Sequence, residues 1–143
     1  LMGVRLEVTG GDPIKFDERA IINAEFSSLS PHDSNARATD YGMELKIWGK
    51  MLFSLGGQES DSTLNVSKWS RLPSEDALCY RSAKLDVIAA GNVVRQFELP
   101  HAFVMDYTEE LDDETGVGTF YLHMKQKKDQ TRQVKLEGGF AGE

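Results

Sequence analysis

A two-residue alternation of apolar and polar side chains, repeated in short runs, restricts this sequence more than any other feature. In Met43-Glu44-Leu45-Lys46-Ile47-Trp48-Gly49, Met43, Leu45 and Ile47 share one face, and Glu44, Lys46 and Trp48 share the other. Successive side chains of an extended chain point to opposite sides, so such a run reads as a half-buried strand. The same grammar recurs at residues 4–8, 20–29, 83–88, 93–99, 102–107, 118–124 and 133–137. Turn residues separate the runs: Gly10-Gly11-Asp12-Pro13, Ser30-Pro31, Gly56-Gly57, Ala89-Ala90-Gly91-Asn92 and Pro100. Gly91-Asn92 is expected to supply the positive-φ positions of a tight hairpin. Between Pro31 and Asp40 the chain is polar and aperiodic and reads as an exposed loop.

One helix interrupts the strands. Asp61 or Ser62 can cap it, Leu64, Val66 and Trp69 carry its apolar positions, and Pro73 stops it after Leu72. A short turn at 74–78 follows, and Trp69 reads as a core anchor. The expected architecture is mainly β: an antiparallel barrel or sandwich of seven to eight strands with one α-helix, forming a single domain over residues 1–143. A chain of 143 residues is long enough to bury a sizeable core without staples.

Composition narrows function mostly by exclusion. The net charge of −7 disfavours nucleic-acid recognition and anionic membrane surfaces. No apolar run approaches the ~18 residues of a membrane-spanning helix. The opening residues Leu1 to Leu6 lack the basic and apolar regions of a signal peptide, so no membrane anchor is expected. A lone cysteine, Cys79, has no internal partner and reads as a small buried side chain. The histidines His32, His101 and His123 show no metal-ligand spacing, and no Gly-x-Ser-x-Gly elbow or phosphate-binding glycine loop occurs. No catalytic residue, metal site or cofactor is expected. The densest carboxylate group, Glu109, Glu110, Asp112, Asp113 and Glu114, reads as a solvated hairpin loop, with cation binding as the open alternative. The basic cluster Lys125 to Lys128 with Arg132 reads as a solvated turn.

Three stretches carry a family resemblance: Ser34 to Gly42 leading into the strand at Met43; Ala89 to Glu109, with its sequence strand, Pro100, Ala102, Phe103, Val104, Tyr107, Glu109; and Gly116 to Phe120 running on to Asp129. In this order, with the helix between, the chain resembles the Hcp-like (TssD) and phage tail-tube proteins of contractile injection systems. The resemblance implies hexameric rings that stack as an inner tube, with sheath and baseplate proteins as partners. It implies a subunit that is cytoplasmic before assembly and then part of the particle. It also makes the polar loop an inter-subunit element, with Pro31, His32, Asp33, Asn35, Arg37, Asp40 and Tyr41 as its contact residues. Trp48, on the polar face of its strand, is the further candidate for an interface, where aromatic side chains are enriched. Two other classes stay open. One is a monomeric binding, adaptor or baseplate module. The other, ranked last, is the membrane-associated protease named in labels carried by relatives of this group; no residue pattern here supports proteolysis.

Overall fold

Eight strands and one α-helix appear in the computed structural model, which describes residues 2–29, 42–51, 62–127 and 135–138. In chain order they are β1 (Met2–Thr9), β2 (Ile14–Phe16), β3 (Ile21–Leu29), β4 (Gly42–Lys50), α1 (Ser62–Ser70), β5 (Arg81–Ala89), β6 (Asn92–Asp112), β7 (Val117–Gln126) and β8 (Lys135–Gly138), with a 3-10 turn at Ala77–Cys79 before β5. All pairings are antiparallel. The strand order is β2-β1-β5-β6-β7-β4-β3, with β8 alongside β6. The sheet does not close on itself, and the fold is an open barrel or sandwich.

The long strand β6 joins two halves. Its first part pairs with β5 on one side and β8 on the other. Its second part, from Ala102 to Asp112, pairs with β7. The sequence places a break at Pro100, yet the strand runs through it. Proline lacks an N–H, and here the gap falls at a β-bulge: Arg81 faces Ala102 while Ala83 faces Leu99. The Gln126 side chain accepts the His101 N–H at 3.1 Å, and the Lys127 N–H donates to the His101 carbonyl at 2.8 Å. The bend is therefore hydrogen-bonded through.

Alternation sorts the core as expected. Leu45 and Ile47 of β4 and Phe120, Leu122 and Met124 of β7 are buried on one face, with Leu6, Val8, Ala83, Leu85 and Leu99 from the other half. Phe26 of β3 stacks on Phe97 of β6 at 4.5 Å and ties the halves together. Each of the larger aliphatic side chains removed from water contributes roughly 1.5–3 kcal/mol.

Helix α1 covers the core beside β2 and β6, burying Val66 and Trp69. The Trp69 indole N–H donates to the Cys79 carbonyl at 2.8 Å, so the core reading of Trp69 holds. The capping expectation narrows: of its two candidates, Ser62 does not cap the helix. Ser62 is the first helical residue, and its hydroxyl accepts the Lys15 N–H at 3.0 Å, tying the helix to β2. Asp61 lies outside the described residues.

Two further expectations change. The turn between β5 and β6 places Ala90 (φ 53°) and Gly91 (φ 78°) in the left-handed region, rather than Gly91 and Asn92. The acidic segment is mostly strand: Glu109 to Asp112 belong to β6, opposite Phe120 to Val117, and the turn follows Asp112. Asp112 opens that turn by accepting the Glu114 N–H at 3.0 Å.

Candidate functional site

The surface that stands out is the outer face of the half-sheet β6-β7-β4-β3. The pleat sets its rows by register. Asn23, Trp48, Tyr121 and Thr108 lie side by side across four strands. Glu25, Lys46, His123 and Asp106 form the next row. Cross-strand neighbours of this kind stand roughly 5 Å apart, close enough for aromatic rings to touch. The Trp48 and Tyr121 ring centroids are 5.2 Å apart in a tilted arrangement.

Gly49 and a β-bulge shape this region. Ile21 faces Gly49 and Asn23 faces Trp48, so Ile22 is the extra residue. The bulge turns the Ile22 side chain outward, leaving it 58% exposed. A groove of about 600 Å³ results, lined by Ile22, Asn23, Trp48, Thr108, Glu110 and Tyr121 among others.

One row further along, His123 Nε2 lies 2.7 Å from Glu44 Oε2, a diagonal pair between β7 and β4. Glu44 is buried although it sits on the outer face. His123 is thus held by a cross-strand carboxylate.

The opposite half-sheet has a different outer face. There Glu7, Lys84, Glu98 and Lys135 line up in register, as do Arg5, Asp86, Gln96 and Glu137. The Gln96 amide donates to Asp86 at 2.8 Å. That face alternates charge and carries no aromatic row in these registers.

A second cluster lies inside, at the start of β5. Arg81 is buried, its guanidinium is 5.3 Å from the Trp69 ring, and its Nε donates to the Leu78 carbonyl at 3.0 Å. Its Nη1 finds no hydrogen-bond partner among the described residues. Burial pulls the Arg81 guanidinium below its ordinary pKa, against the opposing pull of Asp12 and Asp76. The Cys79 thiol is pushed up by burial and by the nearby Asp76 carboxylate. A thiol held protonated in this way is a poor nucleophile.

Of the residues singled out by sequence, Trp48 falls in the groove. Pro31, His32, Asp33, Asn35, Arg37, Asp40 and Tyr41 lie outside the described residues. Among the described residues, no three of His, Cys, Asp or Glu converge to hold a metal ion, and no helix is long and apolar enough to cross a membrane. Sequence reasoning missed Ile22 and Tyr121 as companions of Trp48. The alternation of residues 118–124 does put Tyr121 on the polar side, but only strand order places it beside Trp48.

No family model matches this chain, and no curated protein matches it. Solved structures do. Hcp1 from Flavobacterium johnsoniae superposes with a TM-score of 0.57 at 13% identity, over 96% of this chain and 96% of that one. A chain of the anti-feeding prophage baseplate, solved with 6-fold symmetry imposed, gives 0.55 at 12% identity over 95% and 93%. A chain of the sheath–tube complex of an extracellular contractile injection system, PVC, gives 0.50 at 12% identity over 94% and 89%. These identities carry the fold, and they carry it from end to end: the chain has the fold of the Hcp-like tube proteins of contractile injection systems.

Proposed function

We propose that this chain is a structural subunit rather than an enzyme, and that it assembles into hexameric rings that stack as the inner tube of a contractile injection apparatus. The observation that carries this reading is the end-to-end match to Hcp1, over 96% of both chains. The six-fold symmetry of the prophage baseplate structure supports the ring order. The two outer faces fit the reading physically. A ring subunit needs surfaces that meet neighbours and surfaces that meet water. The aromatic groove at Trp48 suits the first role, and the alternating charges of Glu7, Lys84 and Glu98 suit the second. The loop from Pro31 to Tyr41 is proposed to reach a neighbouring subunit. The partners are further copies of this chain and the sheath and baseplate proteins of the same apparatus. The subunit is cytoplasmic until it assembles.

Negative-stain electron microscopy of the purified protein tests this reading. Rings with a central hole, some of them stacked, are expected. A particle that stays monomeric at every concentration and ionic strength would rule it out. The baseplate match favours one second reading, a module that caps or joins the tube without forming it. Single rings that never stack distinguish that case.

A further inference from the structure

We propose that the turn from Gly10 to Pro13 is a strap that closes the Asp12 carboxylate onto the buried Arg81 guanidinium, and that this closure seats α1. The strap belongs to the single chain and does not depend on how copies assemble.

Arg81 is the one buried cation among the described residues, with 6% of its surface exposed. Its Nε donates to the Leu78 carbonyl at 3.0 Å, but its Nη1 is buried with no hydrogen-bond partner among the described residues. A buried guanidinium with an unmet donor is costly, and a carboxylate is the group whose charge and geometry satisfy it. Two carboxylates lie close enough to act on Arg81, Asp12 more strongly than Asp76. Asp76 is already committed, because it caps the 3-10 turn by accepting the Leu78 N–H at 2.9 Å. Asp12 is exposed, and among the described residues no hydrogen bond or ion pair engages its carboxylate.

The turn is shaped to bring the two together. Gly10 holds φ 113°, which a residue with a Cβ rarely adopts. Gly11 lies so close to Arg81 that a Cβ there would run into the guanidinium. Asp12 is the next residue, one Cα step of about 3.8 Å further on. A small rotation in the two glycines therefore carries its carboxylate to Nη1. The consequence reaches α1 by two routes. The Arg81 guanidinium lies over the Trp69 ring of that helix, 5.3 Å from its centroid. The Pro13 carbonyl, beside Asp12, accepts the Asn65 amide of the same helix at 2.8 Å. A closed strap holds the turn, the guanidinium and the helix as one unit.

Hydrogen exchange of the full chain, followed by mass spectrometry, tests the strap. Asp12→Asn should speed exchange across Ser62–Ser70 at least about tenfold, because the helix then opens without the Asp12–Arg81 pair to restrain it. Asp76→Asn should not, since asparagine keeps the cap, and neither should Asp113→Asn, which removes a charge from the turn after β6. In nitrogen-15 spectra the Arg81 Nη protons should exchange slowly in the wild type and quickly in Asp12→Asn. Asp12→Asn combined with Arg81→Lys should exchange no faster than Arg81→Lys alone, because lysine lacks the planar fork that the carboxylate meets. Exchange across the helix that Asp12→Asn leaves unchanged overturns the proposal. An equal effect of Asp76→Asn or Asp113→Asn overturns it too, since the cause is then general charge and not this pair. If Arg81→Lys does not fold, the comparison of wild type with Asp12→Asn decides by itself.

Discussion

Gly49 sits where β4 passes over the Phe120 ring. A Cβ there would lie 2.5 Å from that ring and 2.7 Å from the Ala20 carbonyl oxygen. Phe120 is itself stacked on Phe16 at 4.8 Å, so it has little room to yield. Gly49→Ala is expected to cost about 1–3 kcal/mol, as overpacking does, read as a lower urea midpoint with an unchanged slope. Ala90 offers the opposite case. It holds φ 53° without being glycine, a conformation that costs an ordinary L residue about 1–2 kcal/mol. Asn tolerates this conformation, so Ala90→Asn should raise stability by up to about 1 kcal/mol in the same titration. Cys79 links burial to pH. Its folded pKa is raised, so the native state holds a proton that the unfolded chain releases first. The associated stability is complete below the unfolded thiol pKa and is lost as pH rises toward the raised folded value. Urea midpoints measured from neutral to alkaline pH should therefore fall less steeply in Cys79→Ala than in the wild type.

At the scale of elements, α1 depends on what it covers. Only nine residues long, it would be marginal alone in water. It is held by Val66 and Trp69 in the core, by the Ser62 hydroxyl on Lys15, and by the Asn65 amide on the Pro13 carbonyl at 2.8 Å. Trp69→Ala should remove about 3–5 kcal/mol and release the turn at Cys79, seen as a lower melting temperature and weaker near-ultraviolet dichroism. The positions of the strands were legible in sequence, because alternation is a local signal. The continuity of β6 through Pro100 was not. A missing N–H is tolerated there only because Arg81, Gln126 and Lys127, distant in sequence, complete a bulge around it. The acidic hairpin was misjudged for a related reason. Carboxylates in a row suggest a loop, but Glu109 to Asp112 stay extended because β7 supplies their partners. The short β2 escaped sequence reading because three residues give too little alternation to recognise.

For the whole molecule, the two half-sheets differ in what they show outside. One presents a charge ladder through Glu7, Lys84 and Glu98; the other presents the aromatic groove. The proposed packing of copies against one another would use such a difference, since a uniformly charged surface keeps molecules apart. Trp48→Ala should therefore leave the melting temperature within a few degrees, because its ring is outside the core. On the proposed ring assembly, the same change should reduce the fraction of rings seen by electron microscopy. A melting temperature that falls as far as in Trp69→Ala would place Trp48 in the fold and not in the assembly.

The sequence by itself determined the class of this protein: antiparallel strands, one helix, a buried cysteine and no catalytic motif. Each of these follows from local spacing or from residue type. It also marked Trp48 as a large side chain on a polar face. Only the tertiary structure decided what stands beside Trp48. Tyr121 is 73 positions away in sequence yet opposite in register, and Ile22 reaches the groove through a bulge that no local pattern announces. The physical reason is that alternation assigns a residue to a face, whereas strand order and register assign its neighbours, and a surface is made of neighbours.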